Sequence, residues 1–195
     1  MFVADYGRLK GRQIECDFLD GDWLRKASTK QLRARLCGKG LLHLAENPNI
    51  LHYESDDLML RQYRNALNLL EFSVEPKVYM SSYLVYASLK HPDHGGLKES
   101  DAVFPGSSYA THKLRVEKLF LDFGGTAIRS ANLYGGTFCE RKGFIETVIK
   151  SLARGEVIEL DNGSNVRDFF YIEQFANCLF RLMQLDDLRG IYNLG

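Results

Sequence analysis

The chain has 195 residues, 45% hydrophobic and 26% charged, enough for one domain with a sizeable core. Lys+Arg and Asp+Glu each number 25, so the net charge is zero and nothing marks the chain as a binder of nucleic acid or of a membrane surface. No apolar run approaches the roughly 20 residues of a membrane span, and Cys16, Cys37, Cys139 and Cys178 lack the Cys-x-x-Cys spacing of a metal or redox site. Dispersed, reduced cysteines and an opening apolar run too short for a signal peptide point to the cytoplasm.

In chain order, residues 1–5 (Met-Phe-Val-Ala-Asp) read as a short buried strand with an acidic end. Residues 12–17 read as another, bounded by Gly11 and Asp20-Gly21, and 21–36 as a basic, partly amphipathic helix. Gly-Leu-Leu-His-Leu-Ala at 40–45 is a third buried strand. Residues 56–72 form a helix with apolar positions Leu60, Tyr63, Leu67 and Leu70, opened by Asp56 as N-cap and Asp57 as a first-turn acid. Residues 77–82 are a buried strand ending in Ser81-Ser82. A polar loop follows, in which His91-Pro92-Asp93-His94 reads as plain loop rather than a metal site. A helix opens near Ser108 and runs to about Phe123 with Leu114, Leu119 and Phe120 on its apolar face and His112 solvated. Thr126 begins a strand that ends in the turn Tyr134-Gly135-Gly136. Residues 144–154 form a helix, 157–160 and 166–171 short strands around Asp161-Asn162-Gly163-Ser164, 173–184 a helix and 190–194 a last strand. The alternation of strands and helices predicts a parallel sheet covered on both faces.

Tyr109 and Lys113 lie four residues apart, so they share one face of their helix. A free phenol, with a pKa of about 10, is a poor base at neutral pH, and a neighbouring ammonium favours its ionised form. Ser82, at the end of a strand, is placed to hydrogen-bond the same substrate oxygen, and the three together make a general acid/base unit. Tyr-x-x-x-Lys also occurs at Tyr6/Lys10 and Tyr86/Lys90, but only the Tyr109 copy follows a serine-ended strand and opens a long amphipathic helix.

The order Ser-Ser-x-x-Val-Tyr, Pro-x-x-x-Tyr-x-x-x-Lys and Ile-Arg-x-x-Asn-x-Tyr-Gly, spread over residues 81–135, resembles the extended short-chain dehydrogenase/reductase family, in its nucleotide-sugar epimerase/dehydratase branch. The resemblance implies an α/β fold: a Rossmann-like, doubly wound parallel sheet in residues 1–136, lacking its first strand, and part of a small substrate-binding subdomain in 137–195, interleaved with the sheet. It implies an NAD-dependent enzyme acting on a nucleotide-sugar, with Ser82, Tyr109 and Lys113 catalytic. It further implies Asp5, Asp17, Leu44 and Ala45 at the cofactor with Tyr109 and Lys113, and Asn132 and Arg167 at the substrate with Ser82. A homodimer is compatible with it, and no metal is implied.

Three features depart from the family pattern. The Gly-x-x-Gly-x-x-Gly turn that meets the pyrophosphate is absent, which implies a piece of a longer protein starting at the family's second strand, with NAD bound weakly or not at all. Such a sheet would close by pairing residues 1–5 directly beside 40–45. Glu46 stands where the family usually has Ala or Gly and would repel a pyrophosphate, and Tyr63 stands where it usually has Asn. Tyr83 and Leu84 occupy the positions at which 4,6-dehydratases carry acids, which favours epimerase or ketoreductase chemistry. The missing glycine turn and Glu46 also support a second reading, a binding module or non-catalytic remnant that keeps the fold without the cofactor.

Overall fold

The computed structural model describes residues 39–44, 46, 53–71, 73–86, 95–136, 143–159 and 166–195. The predicted strands at 1–5 and 12–17, the helix at 21–36, the closure between 1–5 and 40–45, and the His91–His94 loop lie outside them.

Four parallel strands form the main sheet, in the order β1-β2-β3-β6. They are β1 (Lys39–His43), β2 (Ser73–Ser82), β3 (Thr126–Ser130) and β6 (Gly190–Leu194). Between β1 and β2 runs α1 (Asp56–Leu70), and a 3₁₀ turn (Tyr83–Tyr86) leads from β2 towards α2 (Ser108–Asp122). After β3 the chain forms β4 (Asn132–Tyr134), α3 (Phe144–Ala153), β5 (Phe169–Tyr171) and α4 (Ile172–Leu182) before β6 rejoins the sheet. β4 and β5 pair in parallel as a separate two-stranded sheet, with Asn132 opposite Phe169.

Alternation along β2 sends its side chains into two cores. Tyr79 joins Ala66, Leu70, Val116, Leu119 and Phe120 under α1 and α2. Val78 joins Ile128, Phe175, Leu179 and Leu188 under α4. Parallel pairing with helices on both faces makes the α/β, Rossmann-like sheet that the strand–helix alternation predicts.

The turn that aims α2 into β3 depends on glycine. Gly124 has φ +75°, and a Cβ on Gly125 would lie 2.6 Å from the Lys77 carbonyl oxygen. Any side chain there would push α2 off β2.

Several expectations need correction. The N-cap of α1 is Ser55, whose hydroxyl accepts from the Leu58 amide; Asp56 and Asp57 both lie in the first turn. The buried stripe of α1 runs through Gln62, Asn65, Ala66, Leu69 and Leu70, and Leu60 is exposed. Polar Gln62 takes an inward position because its amide oxygen accepts from the buried Tyr53 hydroxyl at 3.1 Å. Residues 157–159 are not a strand, and Val157 is 90% exposed, with no pairing neighbour among the described residues. The strand expected over 166–171 is confined to Phe169–Tyr171, where β4 is available as partner.

Candidate active site

α2 delivers the two residues of the Tyr-x-x-x-Lys pair. Its N-cap, Ser107, accepts from the Ala110 amide at 3.2 Å and fixes the first turn, so Tyr109 enters at a defined angle. Tyr109 is half-buried, its ring edge-on to buried Tyr53 at 5.0 Å between centroids. Lys113 is buried one turn on. Its ammonium lies 5.5 Å from the Tyr109 ring centroid and 4.9 Å from that of Tyr79, so Tyr109 and Lys113 share a face as their spacing requires. Lys113 Nζ also donates to the Met80 carbonyl at 2.7 Å, which ties the helix to the last turn of β2.

Ser82 closes β2 and is 7% exposed. By alternation it follows Met80, while Ser81 follows Tyr79 towards α2. At Ser82 the strand hands over to the 3₁₀ turn, whose Leu84 amide donates to Ser82 Oγ at 3.2 Å. Among the described residues no hydrogen bond joins Ser82 to Tyr109 or Lys113. The β4–β5 pair sets Asn132 opposite Phe169, two residues beyond Arg167. The Asn132 backbone amide and side-chain amide donate to the Asp168 carbonyl at 3.1 and 3.0 Å, and its Oδ1 accepts from the Tyr83 hydroxyl at 3.1 Å. Arg167 is exposed and donates to the neighbouring Val166 carbonyl at 3.4 Å. Leu44 is 56% exposed at the end of β1. Asp5, Asp17 and Ala45 lie outside the described residues.

Two features of the site run against the sequence reading. His112 is fully buried rather than solvated, because the α2 surface next to the Tyr109/Lys113 face is covered by Tyr53 and Glu46. Glu46 is the centre of that covering. Its side chain is 5% exposed, with Lys113 Nζ at 2.5 Å from Oε2 and His112 Nε2 at 3.2 Å from Oε1. The Tyr79 hydroxyl donates to Oε1 at 2.9 Å. Burial works against ionisation of this carboxyl, but Lys113 and then His112 outweigh it and hold Glu46 far below the usual carboxylate range. Facing a carboxylate, His112 Nε2 is the donor of this contact, and its buried Nδ1 has no hydrogen-bond partner among the described residues.

His43, on β1, is stacked against Tyr79 and Phe120 at 5.8 Å from each, and its Nε2 has no described partner. Burial lowers its pKa from 6.5 to about 4, against a pull from Glu46 and with smaller pushes from Lys113 and His112. Between those values the unfolded chain binds a proton that the folded chain refuses, so stability falls as pH drops from 6.5 towards 4. His43→Phe keeps the stacking and removes the titration. Urea denaturation across this window should show the wild type losing up to about 3 kcal/mol that the variant keeps. Parallel curves for the two proteins would show that His43 titrates normally.

Sequence reasoning also missed a second buried pair behind the site. Glu117, one turn beyond Lys113, meets Arg129 of β3 with Nη2–Oε1 at 2.5 Å and Nε–Oε2 at 3.2 Å. Ser81, next to Ser82, donates to Glu117 Oε2 at 2.8 Å. The signal was present: an acid four residues after Lys113, and an arginine inside the otherwise apolar Thr126-Ala127-Ile128-Arg129 strand.

Residues 4–195 match the model of the NAD dependent epimerase/dehydratase family. A curated relative, a trifunctional UDP-glucose 4,6-dehydratase/UDP-4-keto-6-deoxy-D-glucose 3,5-epimerase/UDP-4-keto-L-rhamnose-reductase of Arabidopsis thaliana, is 26% identical over 125 residues, which make 60% of this chain and 18% of that protein. Among solved structures, MoeE5 in complex with UDP-glucuronic acid and NAD aligns at a TM-score of 0.73 and 25% identity, over 94% of this chain and 62% of MoeE5. The UDP-glucose 4-epimerase of Thermus thermophilus, solved with NAD, aligns at 0.72 and 21% identity, over 92% of this chain and 61% of the epimerase, a likeness of fold. The chain therefore spans about three fifths of these solved relatives and under a fifth of the plant protein. With its motif order, its parallel sheet and a family match over nearly its whole length, the chain belongs to the NAD-dependent epimerase/dehydratase family.

Proposed function

We propose that the protein is an NAD-dependent nucleotide-sugar epimerase. The observation that carries this reading is the shared face of Tyr109 and Lys113, with the ammonium 5.5 Å from the phenol ring at the C-terminal rim of β2. Reversible hydride transfer from the sugar carbon is the chemistry that NAD would supply when bound. Tyr109 removes the proton from the sugar hydroxyl as that carbon is oxidised, and gives it back on reduction. Lys113 would hold the nicotinamide ribose, and Ser82 would align the hydroxyl. Asn132, on β4, and Arg167, just before β5, would meet the nucleotide-sugar, where an arginine fork suits a diphosphate. The side chains of Tyr109 and Lys113 fit the cofactor. Glu46 stands against it, because its carboxylate already occupies Lys113.

Epimerisation is favoured over dehydration by Tyr83 and Leu84. Elimination of water needs an acid beside the catalytic serine, and here the Tyr83 hydroxyl is turned to Asn132. Incubation of the complete protein with UDP-hexoses and NAD, followed by NMR of the sugar, should give an epimer with no net NADH. A 4-keto-6-deoxy sugar among the products would overturn the assignment. The second reading, a binding module without catalysis, is favoured by one observation, the Glu46–Lys113 pair, and predicts unchanged sugar in the same tube.

A further inference from the structure

Lys113 has one task in the proposed reaction and a different partner in the structure. Resting on the cofactor reading above, we propose that Glu46 is an internal latch on Lys113, and that the dinucleotide site opens only when this ion pair parts. Glu46 comes three residues after the end of β1, and Lys113 comes from α2; the chain between them is long, yet the two charges meet at 2.5 Å. The carboxylate is no loose surface acid. The Tyr79 hydroxyl and His112 Nε2 hold its other oxygen at 2.9 and 3.2 Å, both from residues buried beneath the site. Lys113 donates one hydrogen bond, to the Met80 carbonyl at 2.7 Å, which holds its ammonium beside the carboxylate.

A ribose diol offers an ammonium two neutral acceptor oxygens. The Glu46 carboxylate offers two acceptor oxygens and a full negative charge, the stronger partner where water is excluded. It is also tethered, so it competes at the high effective concentration of an intramolecular ligand. A diphosphate-bearing cofactor that approaches this rim meets a carboxylate, a second penalty of the same sign. The side chain thus satisfies Lys113 in the cofactor's place and discourages the cofactor from taking it.

The test uses Glu46→Gln, which keeps the shape and removes the charge, and Glu46→Asp, which keeps the charge and draws it back by one methylene. Thermal melting establishes that each variant is folded; if Glu46→Gln is not, Glu46→Asp carries the same measurements. Lys113 is followed by its rate of acylation with an amine-reactive ester, read by peptide mass spectrometry against Lys118, which is 75% exposed. NAD binding by the complete protein is followed separately by titration calorimetry. The latch predicts slow acylation of Lys113 in the wild type, and both faster acylation and tighter NAD binding in the variant, by about tenfold or more each. Acylation of Lys113 at the same rate in wild type and variant overturns the latch. Lys113 freed, with NAD bound equally by both proteins, overturns it too and leaves the cofactor reading standing. Lys113 freed, with NAD bound by neither, overturns the cofactor reading and, with it, the latch on that cofactor.

Discussion

Tyr109→Phe in the complete protein is expected to lower turnover of a nucleotide-sugar by a factor of about 10² to 10⁴. The substitution removes one oxygen and leaves the ring that packs edge-on against Tyr53 at 5.0 Å. The fold and the rim of the site should therefore survive, and the Michaelis constant should change little, because the lost interaction acts when the proton moves rather than when substrate binds. Among the described residues the Tyr109 hydroxyl has no hydrogen-bond partner, so its loss leaves no buried donor or acceptor stranded. Steady-state kinetics with the epimerisable sugar, together with calorimetric titration of the substrate, separate the two effects. Turnover within a few-fold of the wild type would mean that another group is the base. A loss confined to the Michaelis constant would make Tyr109 a binding residue and nothing more.

The part of the site legible in the sequence is the part governed by local spacing. Tyr109 and Lys113 share a face because four residues make about one helical turn, and Ser82 ends its strand because Lys77-Val78-Tyr79-Met80 has the apolar character of a buried strand. The boundaries of α2 and β6 are legible for the same reason, serine or glycine opening each stretch, whereas the single strand read from Thr126 to Tyr134 breaks at Ala131 into β3 and β4, which join different sheets. What escapes a sequence reading is decided across the fold. Helical phase sets His112 beside the Tyr109/Lys113 face and so predicts it in water; a carboxylate from just after β1 and a tyrosine from before α1 cover it. Glu46 is expected to repel a ligand phosphate, which is correct for an isolated carboxylate. The structure adds that it has an internal cation to hold, a contact between residues 67 positions apart that no local pattern encodes. In α1 the inward stripe passes through Gln62 and Asn65, so an argument from apolar periodicity places Leu60 inside when it lies outside. Buried polar residues escape hydrophobic periodicity because their position is set by a hydrogen-bond partner elsewhere in the chain.

Glu117→Ala should be the most destabilising single change in the α2–β3 region, by about 3–5 kcal/mol. The Glu117 and Arg129 side chains are each 4% exposed. The two N–H groups directed at one carboxylate form a bidentate pair, and Ser81 adds a third donor. The remaining guanidinium nitrogen, Nη1, donates to the Tyr86 hydroxyl, and Arg129 Cζ lies 4.7 Å from the Tyr86 ring centroid. Tyr86 in turn reaches the Lys98 carbonyl and Asn193 Oδ1 at 3.2 and 3.1 Å, so the cluster joins β2, the 3₁₀ turn, α2, β3 and β6. Removing Glu117 leaves a buried guanidinium without its counter-charge and the Ser81 hydroxyl without its acceptor. That penalty, rather than the net worth of the pair, sets the size of the effect. Replacing both partners, as in Glu117→Met with Arg129→Met, should therefore recover much of the loss. Chemical denaturation of the three proteins checks this ordering, and a double variant no more stable than Glu117→Ala would refute it. The same cluster fixes the rotation of α2. Tyr109, Lys113 and Glu117 follow one another at four-residue steps on the helix, and Glu117 is anchored to the residue before Ser82. In Glu117→Ala the Tyr109 hydroxyl should lose its alignment with a sugar hydroxyl at the rim, so at temperatures where the variant stays folded, turnover should fall with Tyr109 and Lys113 both present. A folded variant with wild-type turnover would show that the sheet positions α2 without this anchor.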